Sequence, residues 1–275
     1  MENSKNRIVY ADLLRIIATF AVIILHVSAS KWYESPIREY NWQMFNIYDS
    51  LVRWSVPVFV MISGMFFLNP NKEIDFKKVF FKYILRILLT IIFWGLFYQF
   101  SEIFAKFILY HEAITMKKIV VAFAKIPFGP PWYHLWYLYM LIGLYLLVPL
   151  YRIFTKNTTE KQFLYLLILF FIFGLCLPFA KKILLHFDSR LNINFGIPEL
   201  VSYSGYFFAG YYFSKYSVSK KLRITIYIFA ICSFVFTIAG TSYISIKNKE
   251  PNGSLYDNLL PTTMFEALAI FIWKL

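Results

Sequence analysis

The chain has 275 residues, of which 59% are hydrophobic, 21% are aromatic and only 16% are charged, and its mean hydropathy is +0.58. A soluble domain of this size carries more charge and fewer Phe and Tyr residues, so an ordinary soluble enzyme is excluded. The formal net charge of +13 does not indicate nucleic-acid binding. The Lys and Arg residues stand singly or in pairs beside apolar runs, as expected of loops that face anionic lipid.

Apolar runs of about 20 residues, separated by short polar loops, predict an all-α polytopic transmembrane helical bundle with about eight spans. The predicted spans are 8–30, 47–68, 83–104, 128–152, 163–180, 199–213, 224–246 and 259–275. We predict a short amphipathic interfacial helix within 106–125 and a non-spanning loop at 181–198. The last run is at the short end of the spanning range. We therefore expect residues 1–275 to form a single membrane domain that is truncated at its C-terminal end.

The first span carries polar residues that a plain membrane anchor would not need. At about 100° per residue, Asp12, Arg15, Thr19 and His26 fall on one stripe of the helix, and Arg15 and His26 are about 16 Å apart along it. Charged groups in hydrocarbon are costly unless they face protein or water. Arg15 either forms a structural ion pair with Asp12 or belongs to a basic vestibule that holds phosphates.

Basic residues also lie near the start of the next two predicted spans. Arg53 lies several residues into span two, where Asp49 is its local candidate partner, with a substrate hydroxyl or carboxylate as the alternative. Lys82 and Arg86 lie near the start of span three. They either snorkel to lipid headgroups or contribute to the same phosphate-binding vestibule as Arg15.

Two histidines are predicted at similar membrane depth. Lys and Arg are slightly more frequent in the loops that lie inside when the N-terminus is cytoplasmic, so we adopt that orientation. Span one then ends outside, where span four begins, which puts His26 and His134 in the outer half. His exchanges a proton near neutral pH, but a histidine in a span is also often a packing residue. His111 and His186 fall in predicted loops.

Other residue types give weaker indications. Trp136 belongs to an aromatic cluster that is most simply an interfacial belt, with stacking against a sugar as the alternative. Cys176 and Cys232 lie in apolar runs and are interpreted as inert packing residues. The sequence contains no metal-ligand spacing, Gly-rich phosphate loop or serine nucleophile elbow. Any chemistry must therefore be acid–base or histidine-nucleophilic, without a metal.

Four stretches resemble the acyltransferase 3 family of integral membrane acyltransferases. The first is the pair Arg15 and His26, separated by ten positions as in the family's first-helix signature. The others are VPVFVMISG after Arg53, HLWYLYMLIGLYLLVPL from His134, and YFFAGYYFS at 206–214. The likeness covers nearly the whole chain. It looks closest to bacterial O-acetyltransferases that modify enterobacterial common antigen and similar glycans, and the membrane domain of serine-racemase-type resistance proteins is similar too.

The resemblance implies about ten helices and transfer of an acyl group from cytoplasmic acetyl-CoA, or another acyl-CoA, to a cell-envelope glycan or lipid-linked sugar. It implies donor binding by Arg15, Lys82 and Arg86, and catalysis by His26 as general base or transient acyl carrier. His134 would assist. The family's Arg-x-x-Arg pattern is incomplete here, because Tyr83 stands at its first position and only Arg86 matches. Lys82 is the candidate replacement for the missing charge.

Two other classes remain open at this stage. A transporter or flippase of glycan precursors would also line a path with His, Arg and Asp, although no internal repeat or pair of broken helices is evident. A non-catalytic membrane domain that binds a ligand and serves a soluble partner is the third class. Arg53, Asp49 and Trp136 are the candidate substrate-binding residues under the enzyme hypothesis.

Overall fold

The computed structural model describes residues 9–72, 74–187 and 199–273. The chain divides into two compact units, the first formed by Met1–Asn69 with Thr158–Leu275 and the second by Pro70–Asn157. Within the described ranges, every regular element is helical. The α-helices in chain order are α1 (Val9–Trp32), α2 (Tyr40–Ser50), α3 (Ser55–Phe67), α4 (Phe76–Lys78), α5 (Leu85–Tyr110), α6 (Met116–Lys125), α7 (Trp136–Asn157), α8 (Glu160–Leu169), α9 (Leu177–Phe187), α10 (Glu199–Lys215), α11 (Lys220–Asn248) and α12 (Pro261–Phe271).

Short non-α segments join several of these helices. A π-helical segment, Val79–Ile84, connects α4 to α5, and another, Phe170–Cys176, connects α8 to α9. A 3₁₀ turn, Tyr133–Leu135, leads directly into α7.

Six helical segments of the described chain are long and apolar enough to cross a membrane. They are Val9–Trp32, Tyr40–Phe67, Phe76–Tyr110, Met116–Asn157, Glu160–Leu184 and Lys220–Asn248. The all-α polytopic fold is therefore confirmed, with six such segments where about eight spans were predicted. The other two predicted spans correspond to α10, which has 17 residues, and α12, which has 11.

Two predicted boundaries differ from the structure for local reasons. The predicted amphipathic segment 106–125 is divided between two helices, because His111 adopts a left-handed conformation (φ 54°) and ends α5. The side chain of Thr115 then caps α6. The predicted loop 181–198 begins as helix, since α9 continues to Phe187 and includes His186; residues 188–198 lie outside the described part of the chain.

The second span is interrupted, which the sequence analysis did not predict. Residues 51–54 form a turn between α2 and α3, closed by hydrogen bonds of the 3₁₀ type from Val52 N to Asp49 O (3.2 Å) and from Ser55 N to Val52 O (3.1 Å). Pro57 has no N–H to offer the carbonyl of Arg53, so a continuous α-helix would lose a bond at this place. The interruption puts Arg53 in the turn.

The core of the first unit is built on α3 and α10, whose backbones touch. A Cβ atom added to Gly64 would collide with the carbonyl of Phe207, and one added to Gly210 would collide with the carbonyl of Met61. Such close approach is typical of helices that meet through small residues inside membrane bundles. The Tyr-, Ser- and Gly-rich run 199–213 lies inside this core, since residues 202–204 and 206–212 of α10 are buried.

Candidate active site

The polar stripe of the first span lies on one uninterrupted helix. Arg15, Thr19 and His26 all belong to α1, and eleven residues at about 100° each return His26 to within about 20° of the Arg15 direction. Because α1 rises about 1.5 Å per residue, the two side chains leave it about 16 Å apart on the same face. The α-helical geometry on which the stripe was predicted is therefore present.

Arg15 is held in place by neighbours within the first unit. Its Nη1 atom donates to Asp12 Oδ1 at 2.7 Å, and its guanidinium carbon lies 4.7 Å from the centre of the Phe66 ring. The Arg15 side chain is 43% exposed, so the pair with Asp12 is only partly withdrawn from the surroundings. A guanidinium has five N–H donors, and one bond to Asp12 leaves the capacity to bind an anion as well.

His26 lies six residues before the end of α1 and is half-buried. Among its helix neighbours, Ser28 and Trp32 are buried, whereas Val27 is exposed. Part of the imidazole surface is therefore exposed, and imidazole exchanges a proton near neutral pH.

Asp49 and Arg53 form an ion pair at the interruption between α2 and α3. Asp49 is 1% exposed and Arg53 is 15% exposed. Arg53 also donates from Nη1 to the carbonyl of Tyr256 (3.0 Å), and its guanidinium carbon lies 4.0 Å from the centre of the Tyr256 ring. Asp49 is therefore the partner of Arg53, as predicted from their spacing.

Polar side chains continue from this pair toward α11. The Tyr256 hydroxyl donates to Asn46 Oδ1 at 2.5 Å, and Asn46 Nδ2 donates to the carbonyl of Ile238 at 3.0 Å. Burial raises the pKa of Tyr256, and the charge of Asp49 raises it further, so the hydroxyl remains a donor. These bonds connect the loop after α11 to α2. Arg53 is therefore held between Asp49 and Tyr256.

Glu266 of α12 is a buried carboxyl group that the sequence analysis missed. It is 1% exposed, and neither of its carboxylate oxygens has a hydrogen-bond partner within the described chain. Helix α12 packs against α3 and α11. The available signal was an isolated acid in the otherwise apolar run 264–273, since a carboxylate at such a position indicates a buried polar environment or a functional site.

In the second unit, Lys82 and Arg86 lie one turn apart on the same exposed face. Both lie on a shallow open surface of this helical segment, together with apolar side chains, Thr90 and Trp94. The Lys82 ammonium lies 5.9 Å from the centre of the Tyr83 ring. The two cations are thus brought together, on the π-helical segment and the first turn of α5 respectively.

His134 lies in the 3₁₀ turn before α7 and is surrounded by aromatic rings. Its imidazole meets the Tyr98 ring edge-to-face at 5.0 Å and the Tyr133 ring at 5.2 Å. Tyr98 in turn stacks on Trp132 at 5.7 Å. Trp136 is the first residue of α7 and is half-buried. The aromatic cluster predicted as an interfacial belt therefore includes the environment of His134.

The structure brings some predicted site residues together within each unit. In the first unit these are Arg15 with His26 on one helix face, and Asp49 with Arg53 in an ion pair. In the second unit they are Lys82 with Arg86. The predicted pairings of His26 with His134, and of Arg15 with Lys82 and Arg86, join residues of different units and stay predictions.

Comparison with known proteins gives one match. Residues 8–274 match the acyltransferase 3 family, which is described as an acyltransferase domain. Searches of curated proteins and of solved structures find no match. The matched range includes nearly the whole of both units.

Proposed function

Because this chain belongs to the acyltransferase 3 family, and is therefore a membrane acyltransferase, we propose that it transfers an acyl group, acetyl in the simplest case, from acyl-CoA to a hydroxyl of a cell-envelope carbohydrate. The observation that carries the proposal is the stripe on α1, with Arg15 and His26 on one face about 16 Å apart. In the proposal the protein lies in the plasma membrane with its N-terminus in the cytoplasm. Arg15 is then near the cytoplasmic end of α1 and His26 near the outer end.

The donor is proposed to bind through its phosphates. Arg15 offers a planar fork of donors that suits a phosphate, and its orientation is fixed by Asp12 and Phe66. Lys82 and Arg86 are exposed cations on one face of their helix and are proposed to add to the phosphate contacts. The pantetheine arm of the donor would then extend along α1 toward His26.

In the proposed reaction His26 is the general base. Its neutral imidazole takes the proton of the acceptor hydroxyl while that oxygen attacks the thioester carbonyl. The carbon–sulfur bond breaks, and the coenzyme A thiolate leaves and receives the proton from the imidazolium. The alternative sequence forms an acyl-imidazole on His26 first and transfers the acyl group to the hydroxyl in a second step. His134 is proposed to assist by binding the acceptor.

The remaining candidates receive different roles. Asp49 is 1% exposed, so it is proposed to orient Arg53 rather than to touch the substrate. Arg53 would contact a substrate hydroxyl or carboxylate through its exposed edge. Trp136, half-buried at the start of α7, is proposed to stack against a sugar ring.

The replacement His26→Ala tests the proposal. Removing the proton acceptor is expected to lower the rate of acyl transfer by about 10²–10⁴-fold, measured in proteoliposomes with labelled acetyl-CoA and a carbohydrate acceptor. His111→Asn is the matched control. His111 is an exposed loop histidine with φ 54°, a conformation that Asn tolerates.

Each outcome of this experiment is informative. Normal turnover in a well-folded His26→Ala protein contradicts the assignment of His26. Movement of the carbohydrate across the membrane without acyl-CoA, and without ester formation, would favour the transporter class instead. A labelled acyl group retained on the wild-type protein but absent from His26→Ala, in a reaction without acceptor, would identify the acyl-imidazole route.

A further inference from the structure

An open cleft of about 670 Å³ lies at the end of the first unit where α1 finishes. One wall is the connection from α1 to α2, and the other is the C-terminal end of α11 with the loop after it. The lining residues are Tyr33, Glu34, Ser35, Pro36, Ile37, Arg38, Ile246, Lys249 and Pro251. The volume is within the usual range of small-molecule binding sites.

Local hydrogen bonds build both walls. After α1, the amide of Ser35 donates to the carbonyl of Lys31 at 3.0 Å, and the amide of Glu39 donates to the carbonyl of Pro36 at 3.0 Å. On the other side Lys249 ends α11 in a left-handed conformation (φ 59°), and the amide of Asn252 donates to Ser245 Oγ at 3.0 Å. The cleft is thus formed by two folded turns.

A buried aromatic cluster packs against Tyr33, which lines the cleft. Trp32 stacks on Trp42 at 5.5 Å and meets the Tyr256 ring at 5.3 Å, and all three are buried. Tyr33 meets Trp32 edge-to-face at 4.8 Å, yet Tyr33 itself is 69% exposed. The ring of Tyr33 is therefore fixed along one side and open along the other.

Two of the three charged residues that line the cleft are cations. Arg38 and Lys249 are exposed cations, whereas Glu34 is already paired with Lys31 at 2.7 Å. An open aromatic ring can stack on the apolar face of a sugar, and the cations can bind an anionic substituent. This combination favours a carbohydrate that bears a carboxylate or a phosphate.

We propose that this cleft binds the carbohydrate acceptor, and that the acceptor is anionic. The residues that carry the proposal are Tyr33, Arg38 and Lys249. His26 lies about 9 Å before Trp32 along α1, so a sugar in the cleft is at the same end of the helix as the proposed base. Naming the ligand as the acceptor depends on the proposed acyl transfer, but binding of an anionic sugar does not.

The experiment compares three probes with the purified full-length chain in nanodiscs. They are a uronic-acid hexasaccharide, its carboxyl-reduced neutral form, and a hexose 1-phosphate, each measured by equilibrium binding. The variants are Tyr33→Ala and Lys249→Asn, the second because Asn removes the cation yet tolerates the left-handed backbone. The controls are Tyr40→Ala and Lys247→Asn, which alter exposed residues of the same types outside the lining set.

We expect at least one anionic probe to bind about tenfold or more tightly than the neutral one, and each cleft variant to lose about tenfold in affinity. The controls should bind as the wild type does. A preference for the uronic acid or for the sugar phosphate identifies the source of the negative charge. Equal binding of neutral and anionic probes, or equal binding by cleft and control variants, overturns the proposal.

The activity assay separates failure of this proposal from failure of the proposed function. In the transfer assay the cleft variants should raise the KM for an anionic acceptor and leave the KM for acetyl-CoA unchanged. If His26-dependent transfer persists and the acceptor KM is unaffected, the cleft assignment alone is wrong. If the cleft binds the anionic sugar but no ester forms, the cleft stands as a carbohydrate site and the proposed acyl transfer is wrong.

Discussion

Arg53 is the ion-pair partner of a carboxylate that is almost completely buried. Asp49 is 1% exposed and is paired with it, and Arg53 itself is 15% exposed. A buried charge without compensation costs several kcal/mol, whereas a paired one can be close to neutral. Arg53 is therefore expected to matter more for stability than a typical ion-pair residue at the surface.

The replacement Arg53→Ala tests this expectation. It should reduce the stability of the folded protein by about 3–5 kcal/mol, because the charge of Asp49 is left buried and unpaired. The measurement is the Tm in detergent, with the amount of monodisperse protein that remains after heating as the readout. In the same background Asp49→Asn should recover part of the loss by removing the unpaired carboxylate charge. An unchanged Tm for Arg53→Ala would show that the pair contributes little.

Arg15 gives a prediction about substrate binding. Arg15→Ala is expected to raise the KM for acyl-CoA more than the KM for the acceptor, because the proposal has Arg15 at the cytoplasmic end of α1. Arg15→Lys should recover only part of the affinity, since the planar fork is lost. Asp12→Asn is the control, because it removes the ion-pair partner and keeps the guanidinium. A selective rise in the KM for the acceptor would mean that Arg15 lies on the acceptor side, and that the proposed donor and acceptor ends of α1 are exchanged.

At the scale of elements, the sequence predicts long apolar helices better than their interruptions. Span one was predicted as 8–30 and is found as Val9–Trp32, because polar residues bound a run of suitable length. Span two was predicted to start at 47, yet α2 begins at Tyr40. Its first residues are polar on average and become helical through packing against α1 and α11, which hydropathy does not report.

Parts of the candidate site were predictable for the same reason. Arg15 and His26 are about three turns apart on one helix, and Asp49 and Arg53 are four residues apart, so local geometry alone brings each pair to one side. The burial of Glu266 could not be predicted in this way, because α12 meets α3 only through tertiary packing. The cleft is equally non-local, since its walls are formed by residues 33–38 and 246–251, which lie far apart in the sequence.

At the scale of the whole molecule, the cleft constrains the topology. The ends of α1 and α11 line the same cavity, so these two helices finish at the same side of the membrane. Among the six segments of spanning length, α11 would be the sixth and would finish opposite to α1. One additional crossing before α11 resolves this, and we predict that α10 supplies it. Its 17 residues reach about 25 Å, which a bilayer accommodates by local thinning.

The last prediction tests this topology with single cysteines. The native thiols Cys176 and Cys232 are free and are first replaced by Ser. Exposed sites for labelling are Glu39 before α2, Ser217 between α10 and α11, and Ser254 after α11. With a cytoplasmic N-terminus, a membrane-impermeant maleimide should label Glu39→Cys and Ser254→Cys in intact cells, and Ser217→Cys only after lysis.

The pattern of labelling separates two questions. Glu39→Cys and Ser254→Cys should always behave alike, because the connections that carry them close one cleft; different labelling would contradict the crossing by α10. If both are protected in intact cells and Ser217→Cys is labelled, the crossing by α10 stands but the orientation is inverted. The cleft would then face the cytoplasm together with the His26 end of α1. An acceptor outside the membrane would be unable to reach it, so the proposed assignment of donor and acceptor sides would have to be exchanged.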